Sequence, residues 1–203
     1  MTEAMWAFEW QAAARGYARV CGCDEAGAGP LAGRVYAAAV ILPAGLELPW
    51  LNDSKKVTPR RRELLFDQIR DRALAWAVAW AEPEEIDALD ILNCRMLAMN
   101  RAVEALEPGA DYALIDGNRD HGSRYAITLA HETIVKGDGR SASIAAASIL
   151  AKVSRDRYME EMDQIYPQYE FARHKGYPTR RHYELLRRYG PCPIHRRSFL
   201  KKL

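Results

Sequence analysis

The chain has 203 residues, 49% hydrophobic and 28% charged, ordinary for a globular protein long enough to bury a sizeable core. No apolar run approaches the ~20 residues of a membrane-spanning helix. The first sixteen residues carry Glu3, Glu9 and Arg15 and hold no secretory apolar segment, so a cytoplasmic protein is expected. The formal charge of +2 hides an asymmetry: residues 171–203 hold ten Lys and Arg against Glu184 alone, while the rest carries 19 bases against 26 acids. A basic end on an acidic body excludes little by itself, but it is the footprint of a phosphate-backbone binder.

In chain order, strands are expected over 17–24, 34–42 and 74–81, the last alternating large and small side chains with period two. Between the second and third, Thr58 and Pro59 open a helix running to about residue 72. A long helix over 84–105 comes next, with Ile86, Leu89, Leu92, Leu97 and Val103 as core candidates and Pro108-Gly109 beyond its end. Short strands are expected at 112–116 and 132–136, then a helix over 141–162 whose small residues Ser143, Ala146, Ala147 and Ala151 permit close packing on a sheet. Tyr183 to Tyr189 has amphipathic helical spacing. Early strands in series and later strands alternating with helices imply an α/β layer fold with a mixed sheet. Cys21, Cys23, Cys94 and Cys192 match neither a disulfide framework nor a zinc site and are expected to be free thiols.

The most informative segment is Cys23-Asp-Glu-Ala-Gly-Ala-Gly-Pro-Leu-Ala-Gly33, two carboxylates against a glycine-rich turn. Paired acids at a strand end suit Mg²⁺, which prefers oxygen ligands, and glycines let backbone groups approach a ligand closely. The same spacing resembles a loose dinucleotide-binding turn, but residues 34–42 directly after it read as a strand rather than a helix, and the ribose-binding acid is missing. A hairpin turn with incidental acids also fits this segment alone. Asp116 ends a second strand and Asp138 lies between two glycines after a third. If those strand ends are neighbours, four carboxylates converge, and two Mg²⁺ would cancel their charge.

Several ordered blocks carry a resemblance beyond these patterns: Asp24-Glu-Ala-Gly-Ala-Gly-Pro-Leu-Ala-Gly33, Leu51-Asn-Asp-Ser-Lys-Lys56, Ile115-Asp-Gly-Asn118, Val135-Lys-Gly-Asp138, Ser143 to Asp156, His174-Lys-Gly-Tyr177 and Tyr189 to Phe199. From about residue 17 onward the sequence resembles the ribonuclease HII family. The resemblance implies an RNase H-like five-stranded mixed sheet flanked by helices, a catalytic domain over 1–165, and a small basic helical substrate-binding extension over 166–203. It implies a metal-dependent endoribonuclease that cuts the RNA strand of RNA–DNA hybrids and nicks duplex DNA 5′ of embedded ribonucleotides, leaving 5′-phosphate and 3′-OH ends. Its role in the cell would be ribonucleotide excision repair and hybrid removal. Asp24, Glu25, Asp116 and Asp138 become the catalytic ligands of Mg²⁺ or Mn²⁺, in a two-metal site. Gly27, Ala28 and Gly29 become the turn that senses the ribose 2′-OH, Tyr177 the tyrosine that stacks on sugar at the junction, and Lys55, Lys56 and Lys175 further substrate contacts. The partner is a hybrid or a ribonucleotide-containing duplex, with no membrane involved, and the chain is expected to act as a monomer.

One departure stands out. The family turn is Gly-Arg-Gly, and here its middle residue is Ala28, so a catalytically impaired hybrid-binding variant is the alternative expectation. Arg34 also stands where a proline is expected. Among other candidates, Ser148 and Lys152 lie one helical turn apart and invite a serine-nucleophile reading, but that motif requires a three-residue step. His174, His182 and His195 lack metal-ligand spacing and are expected at phosphate contacts or on the surface. Asp156 is expected in a structural ion pair.

Overall fold

The computed structural model describes residues 3–200; Lys201 and Lys202 of the basic end, like Met1 and Thr2, lie outside the described residues. The sheet is built around β1 (Val20–Ala26). It pairs antiparallel with β2 (Val35–Ile41), and β2 pairs antiparallel with β3 (Ala75–Ala81). On its other side β1 pairs parallel with β4 (Tyr112–Asp116), and β4 pairs parallel with β5 (His131–Ile134). The order β3-β2-β1-β4-β5 is the expected five-stranded mixed sheet flanked by helices. Parallel neighbours need long crossovers; a helix in the β1–β4 crossover covers one face of the sheet, and a helix that follows the last strand covers the other.

Alternation along β1 sorts its side chains. Gly22 and Asp24 face α5 (Ala142–Ile165), whereas Cys21 and Cys23 join the core beneath α4 (Ile91–Glu104). The small-residue face expected on the helix after residue 141 is realised: Ser143, Ala146, Ala147 and Ala151 are all buried. The helix lies so close that a Cβ on Gly22 would come within 2.1 Å of the Ser143 and Ile144 backbone. Ser141 caps α5, its hydroxyl accepting from the Ile144 N–H at 3.2 Å. In β3, Ala75 and Ala77 face α4 and are buried, while Trp76 and Val78 pack less completely against the opposite core. The small members of the alternation therefore let a helix approach.

Three expectations change. The long helix over 84–105 is two helices, α3 (Pro83–Leu89) and α4, broken at Asp90. Asp90 takes φ 75° and its carboxylate accepts from the Asn93 N–H at 2.9 Å, so it caps a new helix instead of continuing the old one. Leu92 and Leu97 are consequently only half-buried, and Cys94, Met96, Met99 and Ala102 supply the buried positions. The last strand stops at Ile134, because Lys136 adopts a left-handed conformation, and Asp138 lies in a 3₁₀ turn rather than on a strand end. An N-terminal helix, α1 (Ala7–Ala14), carries no sequence signal strong enough to have been assigned. It is pinned by Glu9, whose Oε1 accepts from the Ser141 hydroxyl at 2.7 Å and the Ser143 N–H at 2.9 Å. The helix α2 (Pro59–Arg72), capped by Thr58, and the four free, buried cysteines are as expected.

The third correction concerns the C-terminal segment, with α6 (Phe171–His174) and α7 (Arg180–Tyr189). Tyr169, Phe171, Leu185, Leu186 and Cys192 pack against Leu31, Tyr36, Tyr158 and Met159 of the body. His174, His182 and His195 are buried here, not on the surface or at phosphates. Their hydrogen bonds run in one direction. His182 Nδ1 faces the Tyr177 carbonyl at 3.0 Å and must donate. His182 Nε2 therefore accepts from His195 Nε2 at 3.0 Å, and His195 Nδ1 accepts from the Cys192 N–H. Both rings are neutral in this chain, since burial pulls each imidazole down to about 4.

Gly22→Ala is expected to cost about 1–3 kcal/mol or more, because backbone rather than a flexible side chain blocks the new methyl; urea unfolding measures it. The histidine pair makes stability depend on pH. The unfolded chain takes up protons near 6.5, but the folded pair resists until about 4, so its contribution is complete above pH 6.5 and falls away as pH drops through that window. His195→Gln should flatten the fall of the thermal midpoint between pH 6.5 and 4; an unchanged slope would contradict the assignment.

Candidate active site

The C-terminal end of β1 opens into a cavity of about 370 Å³ lined by Asp24, Glu25, the 26–29 turn, Ser54, Lys55, Asp116, Asp138, Ser148, Lys152 and Tyr177. The parallel register sets Cys23 beside Ile115, so Asp24 and Asp116 are the next neighbours along the adjacent strands. The Asp138 N–H donates to Asp116 Oδ1 at 3.2 Å, which brings the fourth carboxylate in without a strand. Asp24 and Glu25, consecutive on a strand, leave it on opposite faces. Asp24 is 5% exposed on the α5 side, beside Ser148. Glu25 turns to the α4 side, its Oε1 2.7 Å from Arg95 Nη2.

The turn itself is held from beneath. Arg196, fully buried, donates to the carbonyls of Gly27 (2.6 Å), Ala28 (3.0 Å), Pro30 (2.8 Å) and Gly33 (2.9 Å). Arg155 reaches the carbonyls of Ala32, Arg34 and Lys175. Gly27 has no substitute: φ is +98°, and a Cβ would lie 2.1 Å from Arg155 Nε. Gly29 faces open space, so a ligand can approach its backbone. Burial draws the Arg196 guanidinium down to about 9, with the nearby Arg155 charge adding to the effect. Tyr177 is 41% exposed at the cavity, its ring against the Arg155 guanidinium, and its carbonyl ends the histidine chain.

The electrostatics arise from crowding. Burial raises the Asp24 carboxyl well above the ordinary range, and Glu25 and Asp116 push the same way. Burial also raises Glu25 and Asp138; Asp116 adds to both, and Arg95 opposes the shift at Glu25. Among the described residues no three His, Cys, Asp or Glu side chains form a finished cation cage. The donor set nevertheless suits a hard divalent cation: the groups are carboxylates, and Glu25 Oε2 is buried with no hydrogen-bond partner.

All four carboxylates, Gly27, Ala28, Gly29, Lys55 and Tyr177 thus line one cavity. Lys56 and Lys175 do not. Lys56 is exposed 3.8 Å from Asp53, and Lys175 Nζ pairs with Glu160 at 2.6 Å. Ser148 and Lys152 line the cavity, but the Ser148 hydroxyl bonds Ser54 at 2.9 Å and Lys152 pairs with Asp156 at 2.6 Å, which is the ion pair expected for Asp156. Arg34 pairs with Glu82 at 2.8 Å, away from the carboxylates. Sequence reading missed Arg95 and Arg196. Arg95 sits in a helix read for its apolar residues, and nothing local marks it. Arg196 belongs to the basic end, where charge suggested solvent and phosphate rather than burial.

Known proteins resemble this chain in sequence and in fold. The family description "Ribonuclease HII" matches residues 21–202. A ribonuclease HII of Desulfitobacterium hafniense is 53% identical over 197 residues, covering 97% of this chain and 74% of that protein. One of Geobacter sulfurreducens is 53% identical over 196 residues, with 97% and 88% covered. Among solved structures, ribonuclease H2 of Pyrococcus horikoshii superposes with a TM-score of 0.73 at 28% identity, covering 89% of this chain and 93% of that one. RNase HII of Archaeoglobus fulgidus, from its complex with PCNA, gives 0.75 at 26%, with 90% and 95% covered. The match reaches from β1 to the end of the basic segment, and this chain belongs to the ribonuclease HII family.

Proposed function

We propose that the chain is a divalent-cation-dependent endoribonuclease acting on the RNA strand of RNA–DNA hybrids and on the 5′ side of single ribonucleotides in duplex DNA. It would leave 5′-phosphate and 3′-OH ends and serve ribonucleotide repair in the cytoplasm. The observation that carries this reading is the juxtaposition of a four-carboxylate cavity with a backbone turn whose carbonyls are taken up by Arg196.

Asp24, Glu25, Asp116 and Asp138 would hold Mg²⁺ or Mn²⁺. When bound, such cations supply a Lewis acid that lowers the pKa of water and stabilises charge on a leaving oxygen. The remaining chemistry belongs to this chain's residues. With the carbonyls of Gly27 and Ala28 turned to Arg196, the amide side of the turn faces the cavity, and the open side of Gly29 admits a ribose 2′-oxygen to the main chain. The 2′-OH is the group that separates RNA from DNA. Tyr177, braced by Arg155 and the histidines, offers a flat face to the sugar beside it. Lys55 and Lys152 add positive charge for phosphate, Lys55 as a point charge with no ion pair among the described residues. The basic face of α7 extends this along the backbone: Arg180 and Arg188 are exposed around it.

A labelled DNA duplex with one ribonucleotide, incubated with Mg²⁺ or Mn²⁺, tests the reading. A nick 5′ of the ribonucleotide is expected, absent from an all-DNA duplex. Asp116→Asn should reduce it by more than the about 10–100-fold typical of losing an outer-shell partner. Equal cutting of all-DNA duplex, or a fully active Asp116→Asn, would refute it. Ala28 keeps the backbone of the turn but offers no guanidinium to phosphate, a charge-assisted bond of about 1.5–3 kcal/mol. Ala28→Arg is therefore expected to improve kcat/KM, by up to roughly 10- to 150-fold if the bond is fully expressed, in steady-state assays on the same duplex.

A further inference from the structure

Arg95 lies behind the carboxylates, on the α4 side of the sheet. Its side chain is 23% exposed and that of Glu25 is 13% exposed, with 2.7 Å between Nη2 and Oε1. Arg95 Nε and Glu25 Oε2 are both buried without hydrogen-bond partners. No second acid pairs with Arg95 among the described residues. A partly buried guanidinium thus rests on one oxygen of Glu25, while the other oxygen is free of protein donors.

We propose that Arg95 is a positioning residue of the carboxylate site: it clamps Glu25 through Oε1, leaves Oε2 as the oxygen available to a divalent cation, and by its fixed charge weakens the cation affinity of the cluster. The proposal rests on the reading of Glu25 as a ligand. Its physical basis is simple. One oxygen of a carboxylate engaged by a guanidinium has less charge to give a second cation, and a unit positive charge held against a ligand of a divalent ion would repel that ion in a half-buried site. The same charge stabilises the cation-free protein, because it lies 2.7 Å from Glu25 in a crowd of carboxylates that no cation then neutralises. Arg95 therefore trades cation affinity for stability of the empty cluster.

The test is Mn²⁺ binding by isothermal titration calorimetry, with thermal unfolding in EDTA and in Mn²⁺ alongside, on the unmodified chain, Arg95→Gln and Arg95→Lys. Arg95→Met is a second neutral variant should the Gln form fail to fold. Removing the charge is expected to tighten Mn²⁺ on the order of tenfold, lower the midpoint in EDTA, and enlarge the Mn²⁺-induced rise. Arg95→Lys, which keeps the charge, should stay close to the unmodified chain. A purely structural arginine would lower the midpoint without tightening Mn²⁺, so an unchanged or weaker affinity in the neutral variants overturns the proposal. So does equal tightening by Lys and Gln, which would exclude charge as the cause. If the unmodified chain binds no Mn²⁺ at all, the ligand assignment itself falls and takes the proposal with it; binding that Arg95 does not tune defeats the proposal alone.

Discussion

A single buried guanidinium organises the site. Arg196 places a full charge in the interior with no acid to pair it among the described residues, and satisfies it with four backbone carbonyls of the 27–33 segment. Burying an ion in this way is costly unless every donor finds a partner, so the guanidinium and the turn determine each other's conformation. Arg155, also buried, reaches the carbonyls of Ala32, Arg34 and Lys175 through Nε and Nη2, while its Nη1 has no hydrogen-bond partner. Between them, two arginines distant in sequence tie the C-terminal segment, α5 and the turn after β1 into one body. The orientation of the turn's peptide groups is thus a property of the tertiary structure, since an isolated Gly-Ala-Gly would sample many conformations.

The carboxylates pose the opposite problem. Asp24, Glu25, Asp116 and Asp138 are held together by the parallel β1–β4 register and by the Asp138 amide on Asp116, although their charges repel. The surroundings relieve this by different routes. Ser148 beside Asp24 favours its ionised form, Arg95 pairs with Glu25, and Lys55 favours ionised Asp138. A cluster assembled by backbone pairing and only partly neutralised by side chains is poised for a cation, because the protein has not satisfied every oxygen itself.

Packing sets where this cluster can form. The 2.1 Å approach of a Gly22 Cβ to the start of α5 means that helix and central strand are in backbone contact, which small side chains on both sides permit. Ser148 and Lys152 then project one and two turns further along α5, beside Asp24. Tyr177 arrives from the far end of the chain, its carbonyl held by a relay of two neutral histidines. These residues reach the cavity only because several elements meet at the C-terminal end of β1.

Much of this was legible from local pattern. The alternation in residues 74–81, the Thr58-Pro59 start and the small-residue face after residue 141 each express a backbone period or a capping bond that operates over a few residues. The ordered blocks around Asp24, Asp116 and Asp138 pointed to the family and to the cavity. What local pattern cannot encode is the direction of a side chain whose partner is remote. Asp90 breaks a helix that its apolar spacing would continue, because its own carboxylate caps the next one. The three histidines and Arg196 have the polarity of surface residues, yet they are buried, since their donors and acceptors are satisfied by one another and by backbone groups up to 169 positions away. Sequence alone determined the strands, helices and acids available to this protein. Tertiary structure decided which charges were buried, which carbonyls they hold and which oxygens remain free, because those outcomes depend on desolvation and on partners that only folding brings together.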